Sequence, residues 1–267
     1  MKNLKPITSR LSILFFIILL TSCQQTTEQD TDKKEPIVVD GVTLPEIETE
    51  KIEQSLIVQL QEKVQTREEQ QALTPEGILT SLKEGNKRFL DNRLTARNHS
   101  AQARNSALGQ YPKAVILSCL DSRIPVEDVF DKGIGDLFVA RVAGNFANAD
   151  ILGSMEFGTK VAGAKLIVVM GHPTCGAVKA SIDKVELGNV GSIVQAIRPA
   201  VDMSSGFNGE RSSENKEYVT YVSKNNVRHT IETIRKNSPI LKEMEANNEI
   251  KIVGAFYEME TGRVEFL

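Results

Sequence analysis

The chain has 267 residues, 40% of them apolar and 25% charged, an ordinary globular composition that excludes wholesale disorder, a collagen-like fibre and a polytopic membrane protein. A formal charge of −3 argues against nucleic acid as a partner, and three cysteines are too few for a disulfide scaffold. The odd cysteine count matters because each cysteine falls in a context of its own.

The first context is the leader. Lys2, Lys5 and Arg10 precede an apolar run over residues 11–20, broken only by Ser12. Ten helical residues rise about 15 Å, half of a bilayer core, so the run reads as the apolar region of a signal peptide. It ends in Leu20-Thr21-Ser22-Cys23, which resembles the bacterial lipobox, where a small residue precedes a cysteine that is lipidated and becomes the mature N-terminus. The plainer alternative is a cleaved signal with a cysteine near its end by chance. Lipidation of Cys23 implies anchoring to a membrane of the bacterial cell envelope, with the body of the protein facing the periplasm or the exterior. Residues 1–22 are therefore assigned to the signal peptide and 23–73 to a tether and arm. Residues 24–40 are polar, and Ile52, Leu56, Leu60 and Val64 then form an apolar stripe that predicts a helical arm.

A compact domain is expected over 74–267. Thr74-Pro75-Glu76 is a helix start: an N-cap, a proline at the first helical position and an acid in the first turn. Ile78, Leu79, Leu82 and Phe89 give that helix its buried side. Strands are predicted at 114–118, 137–141, 165–170 and 251–256, with a closing hairpin strand at 264–267. Helices are predicted at 147–161 and 216–235. Continuously apolar strands alternating with helices predict an α/β fold, a central, mostly parallel β-sheet flanked by helices.

Ligands in such folds bind beyond the carboxyl ends of the strands, and two of those ends carry unusual chemistry. One reads Cys119-Leu120-Asp121-Ser122-Arg123, the other Gly171-His172-Pro173-Thr174-Cys175-Gly176. Two thiolates and an imidazole from Cys119, His172 and Cys175 suit zinc, and three protein ligands leave the open position of a catalytic site. Gly171 and Gly176 let the backbone approach, and the Gly176 N–H is placed to donate near the metal. Each residue alone has a plainer reading. A cysteine after an apolar strand is commonly a small hydrophobe, Asp-x-Arg a local ion pair, and two exported cysteines a disulfide. It is the pairing of both motifs, each after a buried strand, that favours a metal site.

Residues 118–145 (SCLDSRIPVEDVFDKGIGDLFVARVAGN) and 167–178 (IVVMGHPTCGAV) resemble the β-class carbonic anhydrases, and the resemblance extends from about Thr74 to the closing IVGAFYEMETGRVEFL. It implies the β-carbonic anhydrase fold and the reversible hydration of carbon dioxide to bicarbonate and a proton by a zinc-bound hydroxide. It assigns one Zn2+ per subunit to Cys119, His172 and Cys175, and a catalytic dyad to Asp121 and Arg123. Asp121 is implied to orient the nucleophile while Arg123 holds it, or, once released, to become a fourth zinc ligand that closes the site. Gln110 resembles a glutamine that reaches substrate in the neighbouring subunit. Phe138 and Ala143 match an apolar pocket wall, Phe157 stands where one branch has tyrosine, and Pro173 replaces a common serine or threonine. A homodimer, or a multiple of it, is implied as well. His99 and His229 read as surface or packing residues, His99 being the lesser candidate for carrying protons away. Two alternatives stay open at this point: a related zinc hydrolase acting on CS2 or COS, and a non-catalytic zinc-stabilised binding protein.

Overall fold

In the computed structural model the described residues are 60–267, together with the backbone of two short strands, Val38–Val39 and Val42–Thr43, which pair antiparallel. The leader, Cys23 and the remainder of 1–59 lie outside the described residues. The chain divides into two units, Met1–Leu56 and Ile57–Leu267, and the second holds the α/β domain.

That second unit reaches further toward the N-terminus than the expected start at Thr74. Residues 60–66 are not helical, so the predicted helical arm does not extend through Leu60 and Val64. Their backbone bonds go to the domain instead: the Gln61 N–H donates to the Ala96 carbonyl at 2.8 Å, and the Asn98 N–H to that of Gln61 at 3.1 Å. Helix α1 (Arg67–Ala72) opens with a capping box between Thr66 and Glu69. Its buried Gln70 donates to the carbonyls of Pro112 at 2.7 Å and Ala162 at 2.9 Å, which fastens it to the domain. Helix α2 (Pro75–Leu90) starts as predicted, with the Thr74 hydroxyl accepting the Gly77 N–H.

Next come α3 (His99–Asn105), β1 (Ala114–Ser118), α4 (Val126–Val129), β2 (Leu137–Arg141) and α5 (Ala149–Glu156), which runs into a π-helical turn over Phe157–Val161. They are followed by β3 (Leu166–Gly171), α6 (Gly176–Ile182), α7 (Val190–Met203), α8 (Lys216–Asn237), α9 (Pro239–Ala246), β4 (Lys251–Tyr257) and β5 (Val264–Phe266). The sheet order is β2-β1-β3-β4-β5; the first four strands are parallel and β5 pairs antiparallel with β4.

Strands β1 and β3 are buried at every position, as their unbroken apolar sequence requires in a sheet covered on both faces. Alternate residues face opposite layers. Val115, Leu117, Ile167 and Val169 pack under Leu152, Met155, Val227, Ile231 and Met244 from α5, α8 and α9. On the other face Ala114, Ile116, Val168 and Met170 meet Ile78 and Leu82 of α2 and Val129 and Phe130. Ser118 is in register with both Met170 and Arg141, so the chain leaves β1, β2 and β3 at the same end of the sheet. That shared register brings the two sequence motifs together.

Candidate metal centre

Cys119 follows β1 directly, and His172 and Cys175 lie in the loop after β3. Both cysteines are buried free thiols, with sulfurs 3.8 Å apart. The loop turns through Thr174 at φ +52°, a left-handed conformation strained for a β-branched residue, and Cys175 then caps α6. The i, i+3 spacing of His172 and Cys175 thus becomes one face of a strained turn at a helix start, with both side chains directed to one point.

Their chemistry fits a cation. The ligand atoms of Cys119, His172 and Cys175 all lie within 4.8 Å of one another, the one such donor group among the described residues. Two sulfurs bound to a tetrahedral zinc at about 2.3 Å would stand about 3.8 Å apart, the spacing found. His172 Nδ1–H donates to the Pro173 carbonyl at 2.9 Å, which orients the ring with Nε2 toward the sulfurs. That Nε2 is fully buried and has no hydrogen-bond partner among the described residues, a position tolerated only if something else satisfies it. A hydrogen bond from the Cys175 thiol draws the Cys119 pKa down, aided by His172 and by the Gly144 N–H, which donates to Cys119 Sγ at 3.3 Å. The same contact and burial push the Cys175 thiol up.

Asp121 and Arg123 border this cluster. Asp121 Oδ1 accepts the Arg123 backbone N–H at 3.0 Å and Nε–H at 2.9 Å, and Oδ2 accepts a guanidinium N–H at 2.7 Å. Oδ2 lies 3.9 Å from His172 Nε2. Of the two arrangements considered for this carboxylate, the one present is the clamp by Arg123. One contributor was missed from sequence. Arg141, the last residue of β2, donates to the carbonyls of Cys119 at 3.0 Å, Asp121 at 3.2 Å and Ile124, and so ties down the whole 119–124 loop. A cation closing an otherwise apolar strand was the available signal.

The remaining expected site residues are more dispersed. Gly176 opens α6 and is exposed, its N–H among the first-turn amides that lack an intrahelical carbonyl. Ala143 is half-buried on the loop leading to Gly144. Phe138 and Phe157 line a groove of about 730 Å3 with Val139 and Ile151 along the free edge of the sheet. Gln110 sits in a polar cleft of about 310 Å3 with Arg67, Tyr111 and Lys165. Gln110 and Lys165 precede β1 and β3, whereas Cys119 and His172 follow them, so Gln110 lies at the opposite end of the sheet from its own chain's cluster. His99 is exposed at the start of α3, and His229 is half-buried on α8; neither belongs to the donor group.

This arrangement has counterparts. The family profile described as carbonic anhydrase matches residues 114–264. Carbonic anhydrase 2 of Mycobacterium tuberculosis is 35% identical over 195 residues, covering 71% of this chain and 91% of the relative. The carbonic anhydrase of Mycolicibacterium smegmatis is 33% identical over 197 residues, covering 72% and 92%. Among solved structures, a Coccomyxa β-carbonic anhydrase superposes with a TM-score of 0.55 at 24% identity, over 71% of this chain and 86% of that one. A β-carbonic anhydrase of Sordaria macrospora, described as tetrameric, gives 0.55 at 22%, over 62% and 85%. With the matched segment running from the first strand of the sheet into the last, and the donor group inside it, the chain belongs to the carbonic anhydrase family and has the fold of its β class.

Proposed function

We propose that the protein is a zinc enzyme that catalyses the reversible hydration of carbon dioxide to bicarbonate and a proton. The observation that carries this reading is a buried Cys-His-Cys donor group beside a carboxylate that Arg123 holds through both oxygens. Cys119, His172 and Cys175 would hold zinc, which would supply a nucleophile at neutral pH by lowering the pKa of coordinated water. Asp121 supplies orientation. With Oδ1 taken by two Arg123 donors, Oδ2 is the acceptor that retains a lone pair toward the cluster, placed to hold the attacking oxygen's proton and turn its lone pair to carbon. Arg123 keeps that acceptor ionised and fixed, and Arg141 holds the loop beneath it. A purely structural zinc site fills all four positions with protein ligands; here the nearest candidate for the fourth is engaged elsewhere.

Two further parts of the reading concern the assembled protein. The groove along β2, lined by Phe138 and Phe157, supports a homodimer, in which Gln110 serves the neighbouring subunit's site. The Leu20-Thr21-Ser22-Cys23 sequence supports a lipid anchor at Cys23 and a place in the cell envelope; a Cys23→Ser protein that stayed in the membrane fraction would remove that part alone. The function itself is tested by stopped-flow carbon dioxide hydration on metal-analysed protein. Wild type is expected to hold zinc near one per subunit and to be active, and Cys175→Ser to lose both. Stoichiometric zinc without hydration at or above neutral pH would refute it.

A further inference from the structure

Helix α8 presses one fully buried asparagine against the metal-site loop. Asn226 is 0% exposed, between the core residues Val222 and Val227. Its Nδ2 donates to the Gly144 carbonyl at 2.7 Å. Gly144 in turn donates its N–H to Cys119 Sγ at 3.3 Å. Gly144 has φ +82°, and a Cβ there would lie 2.4 Å from Ile197 Cδ1 and 3.2 Å from Ala177 Cβ. It must therefore be glycine, yet glycine is the residue least able to hold its own conformation.

The asparagine is costly where it stands. A buried amide loses its hydration and recovers that loss only through hydrogen bonds, whereas an apolar side chain of the same size would fill the layer without it. Asn226 Oδ1 has no partner among the described residues, so the amide is only half satisfied there. The contact it does make is with Gly144, whose N–H meets the Cys119 sulfur.

We infer that Asn226 is a positioning residue for the metal centre: by anchoring the Gly144 carbonyl it keeps the Gly144 N–H on Cys119 Sγ. The inference rests on the reading of Cys119, His172 and Cys175 as a zinc site. An N–H···S bond fixes the direction of the sulfur lone pairs and draws charge from the thiolate, and partners behind a ligand commonly change metal affinity when lost. Without Asn226, Gly144 keeps its steric confinement and loses its one side-chain anchor on that carbonyl among the described residues.

The experiment uses full-length protein, wild type and Asn226→Leu, loaded with Co2+ as a coloured stand-in. Two readouts are taken: the thiolate-to-cobalt charge-transfer band, and zinc affinity by competition with a chromophoric chelator. Asn226→Leu is expected to bind metal with a shifted band and affinity lower on the order of tenfold. Thr230→Val, one turn along α8 at a residue 1% exposed whose Oγ1 also lacks a partner, is the control, and is expected to leave band and affinity unchanged. A folded Asn226→Leu with wild-type band and affinity overturns the inference, as does an equal shift in the control. Should Asn226→Leu not fold, Asn226→Ser, which leaves room for water, is read by the same two measures. If wild type itself takes up no cobalt, the reading of the site has failed instead.

Discussion

Three N–H donors from one residue converge on the Asp121 carboxylate, and this local geometry sets how the site responds to pH. The Arg123 side chain draws the Asp121 pKa down to about 2, against the opposing effect of burial. A carboxyl depressed on folding contributes stability that is complete above the ordinary carboxylate range, near 4, and is lost as pH falls through the folded value. Asp121 therefore stays ionised through the neutral and alkaline range, and any change of hydration rate with pH there is expected to come from another group. Asp121→Asn keeps the size but replaces one acceptor oxygen with a donor. We expect zinc content to be unchanged, because Asp121 lies outside the donor group, and kcat/KM for hydration to fall on the order of 10²-fold. Full activity in that variant would remove Asp121 from the mechanism. Asp121, Arg123, His172 and Cys175 were legible because their relations are local: i, i+2 in one motif and i, i+3 in the other. Arg141 and Gly144 were not. Strand register and the path of the chain after β2 bring them to Cys119, and these are relations between distant residues that neither residue's own neighbours specify.

At the scale of elements, strong periodicity was read well and punctuated helices were not. Strands β1 and β2 coincide with the predicted 114–118 and 137–141, and β3 lies one residue later than predicted at Leu166–Gly171. Helix α7 was invisible because Gly191 and Pro199 break its pattern. It forms because Val194, Ile197, Ala200 and Val201 are buried, the last three in the apolar cluster that also holds Cys119 and Cys175. Tertiary packing outweighs propensity there, and the same packing backs the metal site. The closing hairpin was anticipated, but not what secures it. Asn86 of α2, buried, donates to the carbonyls of Val129 at 3.1 Å and Gly262 at 2.9 Å and accepts the Val264 N–H at 2.9 Å. One side chain thus ties α2 to the turn before β5. Asn86→Ala leaves those backbone groups without their partner, and we expect a loss of about 1–3 kcal/mol by urea unfolding. Amide exchange at Val264 should accelerate more than exchange in β1. Unchanged protection of Val264 would mean that pairing with β4 alone holds the strand.

For the whole molecule, the question is what completes a site whose residues do not all come from one end of one sheet. The domain presents its metal cluster at the carboxyl ends of the strands and Gln110 beyond the amino ends, a separation already implied by the predicted strand at 114–118, which lies between Gln110 and Cys119. Within a single subunit these two features have no route to each other, so the proposed role of Gln110 requires a second copy. Symmetry makes this testable, because in a two-fold dimer each subunit lends its glutamine to the other. Gln110→Ala protein keeps its metal but lacks the glutamine in both sites. Cys175→Ser protein keeps the glutamine but lacks metal in both. When the two are mixed and allowed to exchange subunits, each heterodimer regains one site with metal from one chain and Gln110 from the other. Statistical exchange should then restore about a quarter of wild-type hydration activity, well above the sum of the parents. If Gln110 acted within its own subunit, the metal-bearing site of every heterodimer would still lack it, and mixing would restore nothing. A fully active Gln110→Ala parent would instead make the residue an ordinary part of the cleft it shares with Arg67 and Tyr111, and the dimer would have to be argued from the β2 groove alone.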